Sequence, residues 1–379
     1  MALPGKDQPW IVDADGHVRE PDRLYDEFFP EEFRHLRPRR EADGNRTRYV
    51  VGDVKGGWKT TRIQPRNTGS ANKAPIPVMR GEWDPVARLE DMHLDGISHA
   101  VLFPTEAMAF GCVADPEAAK AMSRAYNDWL GEYCAVDPVH LKHVAHVPFG
   151  NVPDAVAELQ RARERHDSVA AYVRPNPYPP YESGGKFLSD PRNEEFWAAA
   201  EDLGVTVCFH EAALLVVPTP GLDRFGPEEY YLIHAGAHPV GQIMAMLEVL
   251  GTGVLDRHPN LRVGFLEAGC GWVPSWLDRF DEHVEDWAGG ERLSRLPSEQ
   301  FRDQAFVTTE ADEVGLGLFM SMYPENVVFA SDYPHADCTF PGAPDELLGA
   351  SSLSDDQKRS ILAGNSARWF GVGVPAGVG

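Results

Sequence analysis

The chain has 379 residues, 43% hydrophobic and 10% aromatic, enough apolar material for a large buried core and too much for a disordered chain. Thirty-five basic against 58 acidic residues give a formal charge of −23, which disfavours nucleic acid or an anionic membrane as the main partner. Five scattered cysteines (Cys112, Cys134, Cys208, Cys270 and Cys338), none in a CxxC pair, argue against a disulfide framework or a thiolate zinc site and fit a reducing cytoplasm. No apolar run approaches the ~20 residues of a membrane span, and the opening MALPGKDQPWIVDADGH lacks the regions of a signal peptide.

In chain order, β-rich runs are predicted at 10–15, 97–103, 144–148, 170–174, 205–210, 262–267, 306–310 and 327–332. Several are almost continuously apolar, as strands buried on both faces require. Helices are predicted between them at 118–136, 154–165, 193–203, 239–255, 273–288 and 355–370, with Asp154 and Ser354 as N-caps and Pro191 and Pro239 near helix starts. Eight strands with intervening helices predict an α/β fold, a (β/α)8 TIM barrel spanning 1–379 as one domain. A doubly wound sheet is the alternative, but no GxGxxG or Walker loop follows an early strand. Residues 34–80 interrupt the barrel after its first strand and carry 12 basic and 3 acidic residues. That connection belongs to the C-terminal rim, where barrel sites assemble, so it is expected to be an ordered, lid-like insertion.

Polar residues gather at the predicted strand ends. The first run closes with Asp13-Ala14-Asp15-Gly16-His17, the fifth with His210-Glu211, the sixth with Glu267-Ala268-Gly269 and the eighth with Asp332-Tyr333-Pro334-His335. Residues two apart in a strand face one side, so Asp15 and His17 point together into the mouth. A lone Asp-x-His is more often a cap or a turn, whereas four such sites on four strand ends point to one metal centre. Imidazole and carboxylate donors without thiolate suit Fe, Mn or Zn.

Asp15-Gly16-His17, His210, Asp332 and the ending Ile361-Leu362-Ala363-Gly364-Asn365-Ser366-Ala367-Arg368 resemble the amidohydrolase-related TIM-barrel metalloenzymes, among them metal-dependent hydrolases and decarboxylases. The resemblance runs over nearly the whole chain and implies Asp15, His17, His210 and Asp332 as ligands. Two departures stand out. Decarboxylases of that family carry a catalytic His near the end of strand six, where this chain has Glu267. Two-metal amidohydrolases often use a carboxylated Lys on strand four, where this chain reads Val173-Arg174-Pro175.

Further donor-type residues are His238, Glu310 and, in His17-Val18-Arg19-Glu20-Pro21, Glu20. Each has a plain alternative: His238 packs before a proline, Glu267 pairs with Arg279 or another arginine, Glu20 is an exposed turn carboxylate, and Asp312 or Glu313 competes with Glu310. Counting Asp15, His17, His210, His238, Glu267, Glu310 and Asp332 gives seven donors, more than the three or four that one catalytic ion takes. A carboxylate-rich set of this size is the ligand chemistry of two iron ions. The pattern is similar to a TIM-barrel offshoot of non-heme di-iron monooxygenases that act mostly on CoA-linked substrates, including a diterpenoid acid in antibiotic biosynthesis.

That resemblance implies O2 as co-substrate and an external reductant or reductase, with a CoA-linked apolar acid hydroxylated by two Fe ions. The alternative is a mononuclear hydrolase or decarboxylase using one Zn or Mn, and a third reading is a barrel that only binds a ligand. Two residues have expected catalytic roles. His335 orients a ligand, and Arg174 meets a substrate carbonyl or carboxylate unless it is a salt bridge within the barrel. Arg37, Arg39, Arg40, Arg46 and Arg48 of the insertion are candidates for the CoA phosphates, against the alternative of a solvated loop. A homo-oligomer is left open.

Overall fold

The computed structural model describes residues 10–60, 79–176, 187–217, 219–310, 313–335 and 338–373. Eight parallel strands follow one another in space as in sequence: β1 Val12–His17, β2 His99–Phe103, β3 Leu141–His146, β4 Ala170–Val173, β5 Thr206–Phe209, β6 Val263–Phe265, β7 Ala305–Thr309 and β8 Val327–Phe329. Beyond β8 the chain meets β1. Asp332 N donates to Asp15 O (3.2 Å) and His17 N to Tyr333 O (2.7 Å). These bonds bring the ends of the sheet together as the predicted (β/α)8 barrel.

Alternation divides the core in two. Val12, Ala14, Val101, Phe103, Val144, Tyr172, Cys208, Phe306 and Val328 fill the barrel interior. Their strand neighbours, such as Ala100, Leu102, Ala145, Val173 and Phe209, turn outward against the helices. Both faces of each strand are thereby buried, which is why the runs read as continuously apolar.

The helices that frame the site begin on side-chain caps. The Asp84 carboxylate caps α1 (Pro85–Leu94) and that of Asp115 caps α2 (Pro116–Cys134), each with a proline in the first turn. In α3 (Val152–His166) the cap is Asn151, which accepts from Asp154 N at 3.3 Å. Asp154 therefore lies inside the first turn and is not the N-cap. Pro191 does open a short turn leading into α4 (Glu194–Leu203).

The largest correction concerns α5, Tyr230–Val249, which runs straight through Pro239. Buried Ile233, Ala237, His238, Gly241, Gln242 and Ala245 pack on both sides of the proline and hold the helix across the missing N–H. The predicted helix at 355–370 has its Ser354 cap, but a π-turn at Ser360–Gly364 separates Asp355–Arg359 from Asn365–Phe370. The helices at Pro297–Gln304, Leu316–Met322 and Ala343–Gly349, like α1, span ten residues or fewer, less than the window over which helical periodicity is read from sequence.

In the 34–80 stretch, Arg39–Asp43 and Arg46–Val51 form an antiparallel hairpin, extended by Val54–Lys55 and Lys59–Thr60. Its Tyr49 and Val51 join the apolar cluster that holds Phe103, Met108 and Val216. Residues 61–78 lie outside the described residues.

The third strand carries two buried imidazoles whose protonation opposes folding. Burial, then the charge of His166, lowers His143 to about 3, and burial lowers His146 to about 4. Both lie below the ~6.5 of an unfolded histidine, so between about pH 6.5 and 4 the unfolded chain binds protons that the folded chain does not. Stability is expected to fall by on the order of a few kcal/mol as pH drops through that window. Urea midpoints measured across it check this, and a level profile contradicts it.

Candidate metal centre

His17 ends β1 and His210 follows β5, both buried. Their Nδ1 atoms face backbone carbonyls, His17 that of Pro104 and His210 that of Glu211, each at 2.8 Å. A carbonyl only accepts, so each Nδ1 carries the proton and each Nε2 turns a lone pair inward. Asp15 Oδ1 lies 3.5 Å from both Nε2 atoms, and Asp332 Oδ1 lies 3.5 Å from that of His17. Asp15 Oδ1 and the two Nε2 atoms are buried without a hydrogen-bond partner.

Three lone-pair atoms aimed at one another in a dry site repel, and a cation among them relieves the repulsion. The residues therefore fit a divalent ion. Burial alone would raise the Asp15 carboxyl; positive charge on the side of His210 and His17, which a bound cation also supplies, holds it below the usual carboxylate range. Burial and the neighbouring His335 lower His17, which keeps its Nε2 free of a proton for a metal.

A second donor group adjoins the first. Glu267 Oε2 lies 3.2 Å from His210 Nε2 and 3.5 Å from His238 Nδ1, and His234, His238 and Glu267 can each aim one donor at a shared point. The His234 and His238 rings are 4.9 Å apart, one helical turn along α5. Sequence reasoning missed His234 because starting the helix at Pro239 hid the four-residue spacing. Glu267 (φ 50°) and Asp332 (φ 54°) both occupy the left-handed region, which non-glycine residues enter at a cost of about 1–3 kcal/mol. Each thereby turns its carboxylate out of the strand direction and into the mouth.

The other candidates fall elsewhere. His335 Nδ1 lies 2.7 Å from Asp332 Oδ1, and His335, Asp332 and His17 can each aim one donor at a shared point. Arg174 pairs with buried Glu211, which Asn176 Nδ2 also contacts, so the salt-bridge alternative describes this part of its environment. It also lines an open cavity with Met108, Phe110, Val113, Phe149 and Tyr172. Glu310 is exposed just past Thr309, where β7 ends, and does not join the donor groups.

Glu313 turns back instead, accepting from Cys270 N at 2.8 Å and Thr309 Oγ1 at 2.9 Å, while Asp312 lies outside the described residues. Glu20 is buried rather than exposed and grips backbone N–H groups away from the ligands. The five candidate arginines of the insertion have partners within or beside the hairpin: Arg37 with Asp22, Arg39 and Arg48 with Glu41, Arg46 with Asp43, and Arg40 with the Tyr49 hydroxyl.

An inward-facing His/Asp set at the carboxyl ends of β1 and β5 and just beyond β8 defines a metal-dependent barrel enzyme. The chain belongs to the amidohydrolase family, whose model matches residues 13–372. It is 26% identical over 285 residues to the gamma-resorcylate decarboxylase of Rhodococcus jostii (strain RHA1), covering 71% of this chain and 82% of that one. Over 299 residues it is 24% identical to 2-amino-3-carboxymuconate-6-semialdehyde decarboxylase of Dictyostelium discoideum, with 76% and 77% covered.

Among solved structures, an amidohydrolase from Mycobacterium avium subsp. paratuberculosis K-10 matches with a TM-score of 0.77 at 21% identity, over 97% of this chain and 100% of that one. A dihydroxybenzoic acid decarboxylase from Polaromonas sp. JS666, solved with manganese and the inhibitor 2-nitroresorcinol, matches with a TM-score of 0.68 at 18% identity, over 97% and 98%. The two curated relatives are decarboxylases, so the comparisons favour the alternative expectation over a di-iron monooxygenase. Among the described residues no helix is long and apolar enough to cross a membrane.

Proposed function

We propose that this chain is a single-ion enzyme that removes a carboxylate from an apolar-bodied acid, the ion held by Asp15, His17, His210 and Asp332. The observation that carries the reading is the pair of imidazoles locked by carbonyls with Nε2 turned toward Asp15. The two curated decarboxylases and the manganese in the Polaromonas structure support it. A bound divalent ion supplies a Lewis acid that neutralises charge on the substrate.

The chain's own groups do the rest. The cavity walled by Met108, Phe110, Val113 and Phe149 takes the apolar body, and Arg174 at its edge steers the acid group. The bond from carbon to the carboxylate breaks, CO2 leaves, and the electron pair left on carbon takes a proton. Glu267, in the place of the family's catalytic His and within reach of His238, is the group assigned to deliver it.

A second reading is favoured by the His234, His238 and Glu267 group beside the first set. Two iron ions in the paired groups would supply O2 activation, so that R–H, O2, two electrons and two protons give R–OH and water. An external reductant would provide the electrons, and a CoA-linked acid would be the substrate. One test separates the two: metal-loaded protein is given planar and apolar carboxylic acids with and without oxygen. Oxygen-independent CO2 release with one Mn or Zn per chain supports the first reading. Two Fe per chain with product oxygen drawn from O2 overturns it and establishes the second.

A further inference from the structure

Glu20 is almost entirely buried, at 5% exposure, three residues beyond His17. Its carboxylate accepts three consecutive backbone N–H groups: Thr105 and Ala107 on Oε1, both at 3.2 Å, and Glu106 on Oε2 at 2.8 Å. That turn links the end of β2 to the helical turn Ala107–Cys112, whose Met108 and Phe110 line the cavity. It also reaches the metal centre twice. The Pro104 carbonyl holds His17 Nδ1 at 2.8 Å. Thr105 Oγ1 lies 3.1 Å from His335 Nε2, and His335 Nδ1 lies 2.7 Å from Asp332 Oδ1.

We propose that Glu20 is a positioning residue, which fixes the 104–107 turn and through it orients both the His17 ring and the His335–Asp332 pair. The chemistry calls for a carboxylate. Three donors converge on two oxygens, each with two lone pairs, and no other residue type of this length offers two acceptor atoms. A Gln offers one acceptor oxygen, and its NH2 would face an N–H of the turn, so the turn loosens. Carbonyls and hydroxyls that set the tautomer and angle of a ligand tune metal affinity in general. Here one buried carboxylate controls two such groups at once, a role apart from the direct ligation expected of it from sequence.

The inference rests on Asp15, His17, His210 and Asp332 being the ligands. The test titrates Co(II) into metal-free protein and records the visible ligand-field spectrum alongside the melting temperature of the metal-free form. Glu20→Gln is expected to weaken Co(II) binding about tenfold or more and to change the spectrum. Thr105→Val, which keeps the buried carboxylate and cuts only the His335 branch, is expected to show a smaller shift of the same kind. In the Glu20→Gln background the Thr105 substitution adds less than it does alone. Co(II) affinity and spectra like those of the unsubstituted protein in both variants, or fully additive effects, overturn the relay. Failure of the unsubstituted protein to bind Co(II) refutes the ligand assignment instead, so the two failures are distinguishable.

Discussion

Replacing His210 by Ala is expected to weaken divalent-metal binding by more than the 10–100-fold that loss of an outer hydrogen-bond partner alone costs, and to abolish turnover. His210 Nε2 stands between the two donor groups, 3.5 Å from Asp15 and 3.2 Å from Glu267, so its removal takes a ligand from the first and a neighbour from the second. His210→Gln is the sharper variant, because it keeps polar bulk but cannot present an Nε2 lone pair locked by the Glu211 carbonyl. Metal content after dialysis, with the melting temperature of the metal-free protein as the folding control, reads the effect. Wild-type metal content in a folded His210→Ala protein would remove His210 from the centre.

The second large effect is structural and lies one turn of chain away. Asp13 is wholly buried in β1. It accepts from Ser331 N (2.9 Å) and Ser331 Oγ (2.7 Å) and stands 3.5 Å from Arg88, itself 1% exposed. Arg88 NH1 also donates to His17 O at 2.9 Å. Burial raises the Asp13 carboxyl and Arg88 offsets this only in part, so each buried charge depends on the other.

Asp13→Asn leaves a buried guanidinium without its counter-charge at the seam between β1 and the end of β8. The expected loss is about 3–5 kcal/mol. Adding Arg88→Met should recover part of that loss, because the uncompensated charge goes with it. Urea midpoints of the two single variants and the double variant decide the matter, and a stable Asp13→Asn protein would contradict the pairing.

These two residues show what the sequence could disclose. Asp13 and Asp15 both occur in one Asp-x-Asp-x-His run, and strand periodicity places both with His17 on one face. A register shift in β1 between Asp13 and Gly16 separates them, giving one Ser331 and Arg88 as neighbours and the other two imidazoles. The eight strands were legible because their apolar runs are buried on both faces. His17, His210 and Asp332 were legible because they end such runs.

His238 was legible as a donor but not as part of a helix with His234, since a proline usually opens or breaks a helix and here tertiary packing overrides it. Glu310 was placed on the seventh strand, which stops one residue before it at Thr309. For the basic insertion the sequence shows charges and not their partners. Of its five candidate arginines, four pair with Asp22, Glu41 or Asp43, and Arg40 turns to Tyr49.

The most direct test of the central claim is elemental analysis of the purified protein, repeated after chelation and reloading with Mn, Zn and Fe separately. At least one divalent ion per chain is expected in the unsubstituted protein, and none in a folded variant carrying His17→Ala and His210→Ala together. A chain that retains no metal after any of these loadings, or a double variant that binds as much as the unsubstituted protein, contradicts a metal centre built on Asp15, His17, His210 and Asp332.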